Sequence, residues 1–364
     1  LGGWLTDNFS WPWIFYINVP VGIINILMVT RYIHDPSYII REKGRVDFIG
    51  LGLMIIGLGA FQLMLEKGEN KSWFESSFIT YLAVISAAGM ILFVWRELAA
   101  ERPAVNLRIM KNINFSIGTF IGGIMGMGLY GSLFLLPLFL QQLLGYPAYD
   151  SGLTMMPRSL AMALVMPMAG RFYNRLGPRS LIGGGLTIIS LAFYMLSRLS
   201  LDVGYWDLFL PQFLQGAGFG MIFVALSTAA LSTMEKRQMT DAAGLYSVVR
   251  QVFASIGIAL AANELTKGLS YNRVILTGHV IAFSDAASAW RGAATSALAG
   301  SGFNPAEAPE GALRLLDGTV MRQALMLSFN HIFLLITCLF VLTIPLVLLI
   351  RGAGKVKTNE IISE

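Results

Sequence analysis

Apolar residues in this chain gather into unbroken runs of 18 or more, repeated along almost its whole length. A run of that length matches an α-helix crossing the hydrocarbon of a bilayer. The pattern predicts nine complete spans, at about 13–31, 46–65, 78–95, 115–140, 152–170, 180–197, 207–231, 243–264 and 324–350. Residues 1–5 read as the end of an earlier span. The polar connections between spans are short except at 265–323, which is mixed in charge; its GFNPAEAPEG stretch predicts an irregular portion.

Composition agrees with this pattern. Hydrophobic residues make up 55% of the 364 and charged residues only 13%, whereas a soluble domain carries about a quarter charged. So little polar surface cannot cover the chain in water, and the prediction is an all-α polytopic membrane protein. The formal charge of +5 reflects retention of basic residues on one membrane face, not a nucleic-acid partner. The one cysteine, Cys338, has no internal disulfide partner. The chain starts at Leu1 with no charged leader region, which predicts a fragment whose start lies upstream and no signal peptide.

Orientation follows from the basic residues. Alternate connections hold Arg31, Arg41, Lys43 and Arg45; Arg96, Arg102, Arg108 and Lys111; Arg171, Arg175 and Arg179; Lys236 and Arg237; then Arg351, Lys355 and Lys357. The short connections on the other side hold only Lys67, Lys71 and Arg198. Sixteen against three, alternating without a violation, predicts that the basic side and the C-terminal tail at 351–364 are cytoplasmic.

Ionisable groups inside a membrane are costly and so are functional candidates. Arg158, Arg250 and His331 fall within spans. For the arginines the alternative is snorkelling to the nearer headgroups; for His331 it is a neutral imidazole bonded to a neighbouring helix. No acidic residue sits deep in a span; Asp47, Glu66, Asp207 and Glu264 come closest. Proton coupling would therefore use His331 or Glu264, or a site upstream. Asn18, Gln141, Gln212 and Gln215 are candidate cavity-lining residues, with interhelical hydrogen bonding as the alternative. Gly118, Gly122 and Gly126 form a stripe that lets two helices approach closely. Gly216, Gly218 and Gly220 superficially match a nucleotide-binding turn, but they lie in an apolar run with no preceding strand, so that reading fails. His34, His279 and His331 are scattered with no metal-ligand spacing, so neither a metal site nor an enzyme is expected.

The stretch GRFYNRLGPRS at 170–180 resembles the cytoplasmic loop motif of major facilitator transporters, Gly-x-Leu-Ala-Asp-Arg-x-Gly-Arg-Lys. Gly170, Arg175, Gly177 and Arg179 fill its glycine and basic positions, while Asn174 and Pro178 depart from it. LGGWLTDNFSWPWIFYINVPVGI at 1–23 resembles the end of the antiporter motif, with Gly2 and Gly3 as its remnant, followed by the next helix of EmrB/QacA-type drug:proton antiporters. GLYSVVRQVFASIGIALA at 244–261 resembles a segment late in the second half of that group, with Arg250 and Gly257 at recurrent positions. The resemblance covers essentially the whole chain and is nearest to the EmrB type.

That resemblance implies a major facilitator fold of the fourteen-helix branch. Residues 1–31 would end the first bundle, 46–95 would be two linker helices, and 115–350 the second six-helix bundle, with 265–323 an extracytoplasmic loop. It implies multidrug efflux by alternating access in a bacterial inner membrane, driven by the proton motive force without a cofactor. Drugs and protons are the implied small-molecule partners, with a periplasmic adaptor and outer-membrane channel as protein partners. The arginine turns would hold helix ends together in one state and release them in the other. The last span of this group often carries an acidic residue where His331 stands. The rival reading is an exporter of one metabolite such as a fatty acid or siderophore.

Overall fold

A computed structural model describes residues 2–32, 47–100, 103, 105–232, 234, 238–279, 285–302, 304 and 306–350. Arg41, Lys43, Arg45, Arg102, Lys236, Arg237, Arg351, Lys355, Lys357 and the expected tail at 351–364 lie outside the described residues, as does the expectation for His34.

Every regular element among the described residues is helical. The α-helices are α1 (Gly2–Asn8), α2 (Trp13–Tyr16), α3 (Asn18–Tyr32), α4 (Phe48–Gly68), α5 (Ser77–Ala99), α6 (Ile113–Leu138), α7 (Ala148–Leu196), α8 (Tyr205–Leu231), α9 (Met239–His279), α10 (Asp285–Gly300) and α11 (Ala308–Thr343). Eight helical stretches among the described residues are long and apolar enough to cross a membrane. The expected spans 152–170 and 180–197 share one of them, the 49-residue α7.

α7 is two arms divided at Gly177, whose backbone takes φ 76° and ψ 161°. Only glycine adopts that conformation without strain, and Pro178, which has no N–H to leave unpaired, opens the second arm. Both arms lie along α8. A Cβ at Gly216 would collide with the Arg158 carbonyl, and one at Gly220 would stand 3.3 Å from the Met162 carbonyl. From the other arm, a Cβ at Gly185 would meet Ile222, and one at Gly218 would meet Ile189. Residue numbers rise together in the first set and oppose in the second, so the arms are antiparallel. The glycine triplet of α8 thus seats two helices on alternate faces.

Small residues set the other close crossings too. The α6 stripe faces Ala230 at Gly118, the Tyr246 ring at Gly122 and the Arg250 backbone at Gly126. From the facing helix α9, a Cβ at Gly257 would collide with the Met127 carbonyl. α4 and α5 cross at Gly57 and Gly89, where Ser86 donates to the Gly57 carbonyl at 3.1 Å. This pair leans on α9 through Ser255, whose hydroxyl donates to Gln62. Phe139, Phe193, Phe329, Phe333 and Phe340 fill the core where α6, α7 and α11 meet, with Phe193 and Phe340 stacked at 5.7 Å.

Much of the connection expected at 265–323 is helical. α9 continues to His279, and α11 begins at Ala308, with Pro309 in its first turn. Arg273 binds Asp317 at 2.8 Å, and Asn272 donates to Ser328 at 3.0 Å, tying the two extensions side by side. Between them α10 is Ala-rich (AASAWRGAATSALAG), a composition that favours helix.

Contacts between helix ends agree with the alternation read from charge. Arg96 pairs with Asp47, and Arg179 with Ile350. At the opposite ends Asp7 meets Tyr149, Arg322 meets Leu143, and Asn330 meets Leu199.

Candidate functional site

Arg158 lies ten residues into α7, roughly 15 Å along its axis at 1.5 Å per residue, within the expected span 152–170. It does not snorkel: only 6% of its surface is exposed. Its Nη1 donates to Ser132 Oγ on α6 at 3.2 Å and toward Gln215 Oε1 on α8 at 3.5 Å. Ser132 in turn donates to the Leu129 carbonyl, which leaves its oxygen lone pair for the arginine. Among the described residues no carboxylate pairs with Arg158.

Gln212 sits one turn before Gln215 on the same buried face of α8, and both are 0% exposed. Neither polar atom of the Gln212 amide has a partner, and the Gln215 Nε2 has none. Gln215 joins Arg158 and Ser132 in a buried polar node, and Gln212 lies one turn along the same face. Asn18 and Gln141 do not: both are exposed, with Asn18 donating to the Ile14 carbonyl and Gln141 to Ser151.

The loop motif is the corner of α7. Gly170 and Arg175 are exposed, Gly177 makes the reversal, and Arg179 reaches across to the last span. Its Nε donates to the Ile350 carbonyl at 2.6 Å, just beyond the 3₁₀ turn Ile344–Leu349 that closes the helix. That carbonyl is one of the acceptors a helix end leaves unpaired, and a cation there also opposes the negative end of the helix dipole.

At the far end of α7, Gly2 has open space around it, while a Cβ at Gly3 would collide with the Ala148 carbonyl. The Asp7 carboxylate accepts from the Tyr149 N–H at 2.9 Å, so it serves the first turn of α7. A contact 142 residues apart in sequence left no local signal for Asp7.

Arg250 is half-buried, with its guanidinium 5.5 Å from the centre of the Phe223 ring, a cation–π geometry. His331 is exposed on α11 and stands apart from the Arg158 node. Sequence reasoning missed Glu97, which is fully buried at the foot of α5 and accepts from the Val105 N–H at 3.1 Å. Glu97 lies two residues past the expected span 78–95 and two before the end of α5, where hydropathy gave no signal. Sequence reasoning also missed Ser132, one hydroxyl among the glycines of α6.

A profile of the Major Facilitator Superfamily matches residues 1–258. The chain belongs to that superfamily. It is a multi-pass membrane transporter chain by fold and family. It is 30% identical over 352 residues to the fatty acid resistance protein FarB of Neisseria gonorrhoeae, covering 96% of this chain and 68% of FarB. It is 31% identical over 362 residues to the multidrug export protein EmrB of Escherichia coli (strain K12), covering 97% of this chain and 68% of EmrB. Among solved structures, a bacterial homologue of the human lysosomal transporter Spinster, inward-facing and occupied, aligns with a TM-score of 0.45 at 16% identity, covering 83% of this chain and 64% of that one.

Proposed function

We propose that this transporter exports lipophilic drug-like compounds across the bacterial inner membrane in exchange for protons, by alternating access, with its basic face and C-terminus in the cytoplasm. The observation that carries the reading is the pair of contacts at the start and at the corner of α7. Gly3 and Asp7 engage its start, and Arg179 ties its corner to the end of the last span. Both are polar or backbone contacts at helix ends, which can part and reform without unpacking the core. Rocking of helix bundles about a mid-membrane site needs contacts of this kind. EmrB-type relatives, of which this chain covers about two thirds of the length, favour drugs as cargo, and the proton motive force supplies the drive without a cofactor. A periplasmic adaptor and an outer-membrane channel complete the proposed path.

His331 is exposed and takes no part in the buried polar node, which favours a proton site elsewhere than on α11. The test is ethidium accumulation in cells lacking their own efflux pumps. Expression of the protein should lower accumulation, and a protonophore should restore it. Unchanged accumulation of ethidium and of other lipophilic dyes would favour the single-metabolite exporter.

A further inference from the structure

We infer that the groove between the α4–α5 pair and α9 is a site for one anionic phospholipid, with its acyl chains in the groove and its phosphate on Arg108 and Lys111. The inference goes beyond the export reading and does not depend on what is exported.

α4 and α5 cross tightly on each other at Gly57 and Gly89, but they do not close fully against α9. Toward the basic side of the membrane a cavity of about 210 Å³ remains between them. Leu58 of α4, Phe93 of α5, Leu107 of the following connection and Val249 and Val252 of α9 line it, and every other lining side chain is apolar as well. Drug-sized ligands take cavities of roughly 300–1,000 Å³, so this one is too narrow for them. It offers no polar partners to hold water, and left empty it would forfeit dispersion contacts on both walls. A second apolar groove, lined by Met90, Ile91, Val94 and Trp95, runs beside it, and Met90 and Val94 line both. Ile91 and Trp95 are 69% and 67% exposed, so this second groove opens outward from α5. Two adjoining apolar grooves facing a bilayer suit the paired chains of one lipid.

The charge at the mouth selects the headgroup. Arg108 donates from Nη2 to the Leu98 carbonyl at 3.0 Å, about one turn beyond Phe93 and Val94, which sets its guanidinium at the end of the groove. Residues Leu107–Lys111 form a 3₁₀ turn, in which side chains three apart eclipse. Arg108 and Lys111 therefore share a face, and both are exposed. Among the described residues no carboxylate pairs with either. A phosphodiester supplies one negative charge and two acceptor oxygens, which match a guanidinium fork and a neighbouring ammonium. A second copy of this chain is a poorer occupant, because a two-fold interface would bring the same cations toward each other.

The protein in dodecyl maltoside is titrated with dioleoylphosphatidylglycerol or dioleoylphosphatidylcholine, and bound lipid is counted by native mass spectrometry. One phosphatidylglycerol per chain should bind at least about tenfold more tightly than phosphatidylcholine, the scale of two basic residues beside an anionic lipid. Glycerol 1-phosphate, which carries the phosphate without chains, should not compete. Arg108→Gln with Lys111→Gln should remove the preference. Lys67→Gln with Lys71→Gln, the same charge change at the other end of the α4–α5 pair, should leave it intact. Val252→Phe, which fills the groove, should weaken phosphatidylglycerol binding and carries the test if the Arg108 variant does not fold. Equal binding of the two lipids, an equal loss in the Lys67 and Lys71 variant, or binding that Val252→Phe leaves unchanged would overturn the site. So would a lipid-free dimer, seen by light scattering, that Val252→Phe dissociates and phosphatidylglycerol does not, since it would give the groove to a second copy. No step of the assay involves transport, so its failure and that of the export reading are read separately.

Discussion

Arg179 donates through Nε to the Ile350 carbonyl at 2.6 Å, joining two residues 171 positions apart. The contact puts a permanent cation on the last carbonyls of a membrane-spanning helix. It also converts a basic turn, which charge alone would explain as a headgroup anchor, into a connection between α7 and the end of the chain's last span. Arg179→Ala should destabilise the protein by about 1 kcal/mol, a hydrogen bond to a charged donor discounted for its partial exposure. Arg179→Lys should recover part of that loss. Thermal unfolding followed by tryptophan fluorescence checks both, and an unchanged midpoint in the alanine variant would mean that the bond is not a stabilising one.

Gly177 has no atom within 4 Å of the position a Cβ would take, yet its φ is +76°. Space is therefore not what requires glycine; the backbone is. Gly177→Ala should cost roughly 1–3 kcal/mol through strain alone. Gly170→Ala, seven residues earlier, should be close to neutral, because its Cβ would stand 4.0 Å from Val224. Comparing the melting points of the two variants separates strain from crowding.

Gly216 and Gly257 present the opposite case. A methyl group at either would be driven into a backbone carbonyl, that of Arg158 or of Met127. Backbone cannot swing aside as a side chain can, so each alanine variant should lose at least about 1–3 kcal/mol, the usual overpacking cost. Gly184→Ala, whose Cβ would stand 3.6 Å from the mobile end of Met221, should be tolerated. Folded yield in detergent, measured by size-exclusion chromatography, distinguishes these outcomes.

Asp47 caps α4 by accepting from the Gly50 N–H at 2.9 Å and binds Arg96 at 3.0 Å. The Gly50 hydrogen bond first, and then Arg96, hold its carboxyl below the usual carboxylate range. A folded pKa below the unfolded one means stability that is fully present above the unfolded value, about 3.9, and lost as pH falls through the folded value. Asp47→Asn should lower the melting point at pH 7 and shrink its fall on acidification below pH about 4. An unchanged acid limb would show that the carboxylate is not linked to folding.

The spans were legible because a bilayer demands length and apolarity, both of which a sequence displays. The corner at Gly177 was legible as Gly-Pro punctuation between two apolar runs. The extent of α9 and the start of α11 were not, because polar and charged residues past the membrane edge end a hydropathy signal without ending a helix. Within the candidate site, Arg158 stood out as a charge in an apolar run, and Gln212 and Gln215 as amides in another. The meeting of Arg158 with Ser132 and Gln215 depends on which faces of α6, α7 and α8 turn inward, and apolar residues lie on every side of α8, so no stripe marks its face. The same ambiguity hid the outward position of His331.

Proton-coupled export is the central claim, and proteoliposomes test it most directly. The protein is reconstituted with a pH-sensitive dye inside, a proton gradient is imposed, and ethidium is added to the side on which the substrate is taken up. Ethidium should move with dissipation of the proton gradient, at a rate that His331→Ala leaves unchanged. A gradient indifferent to ethidium and to other lipophilic dyes, in vesicles shown to hold folded protein, would contradict drug:proton exchange.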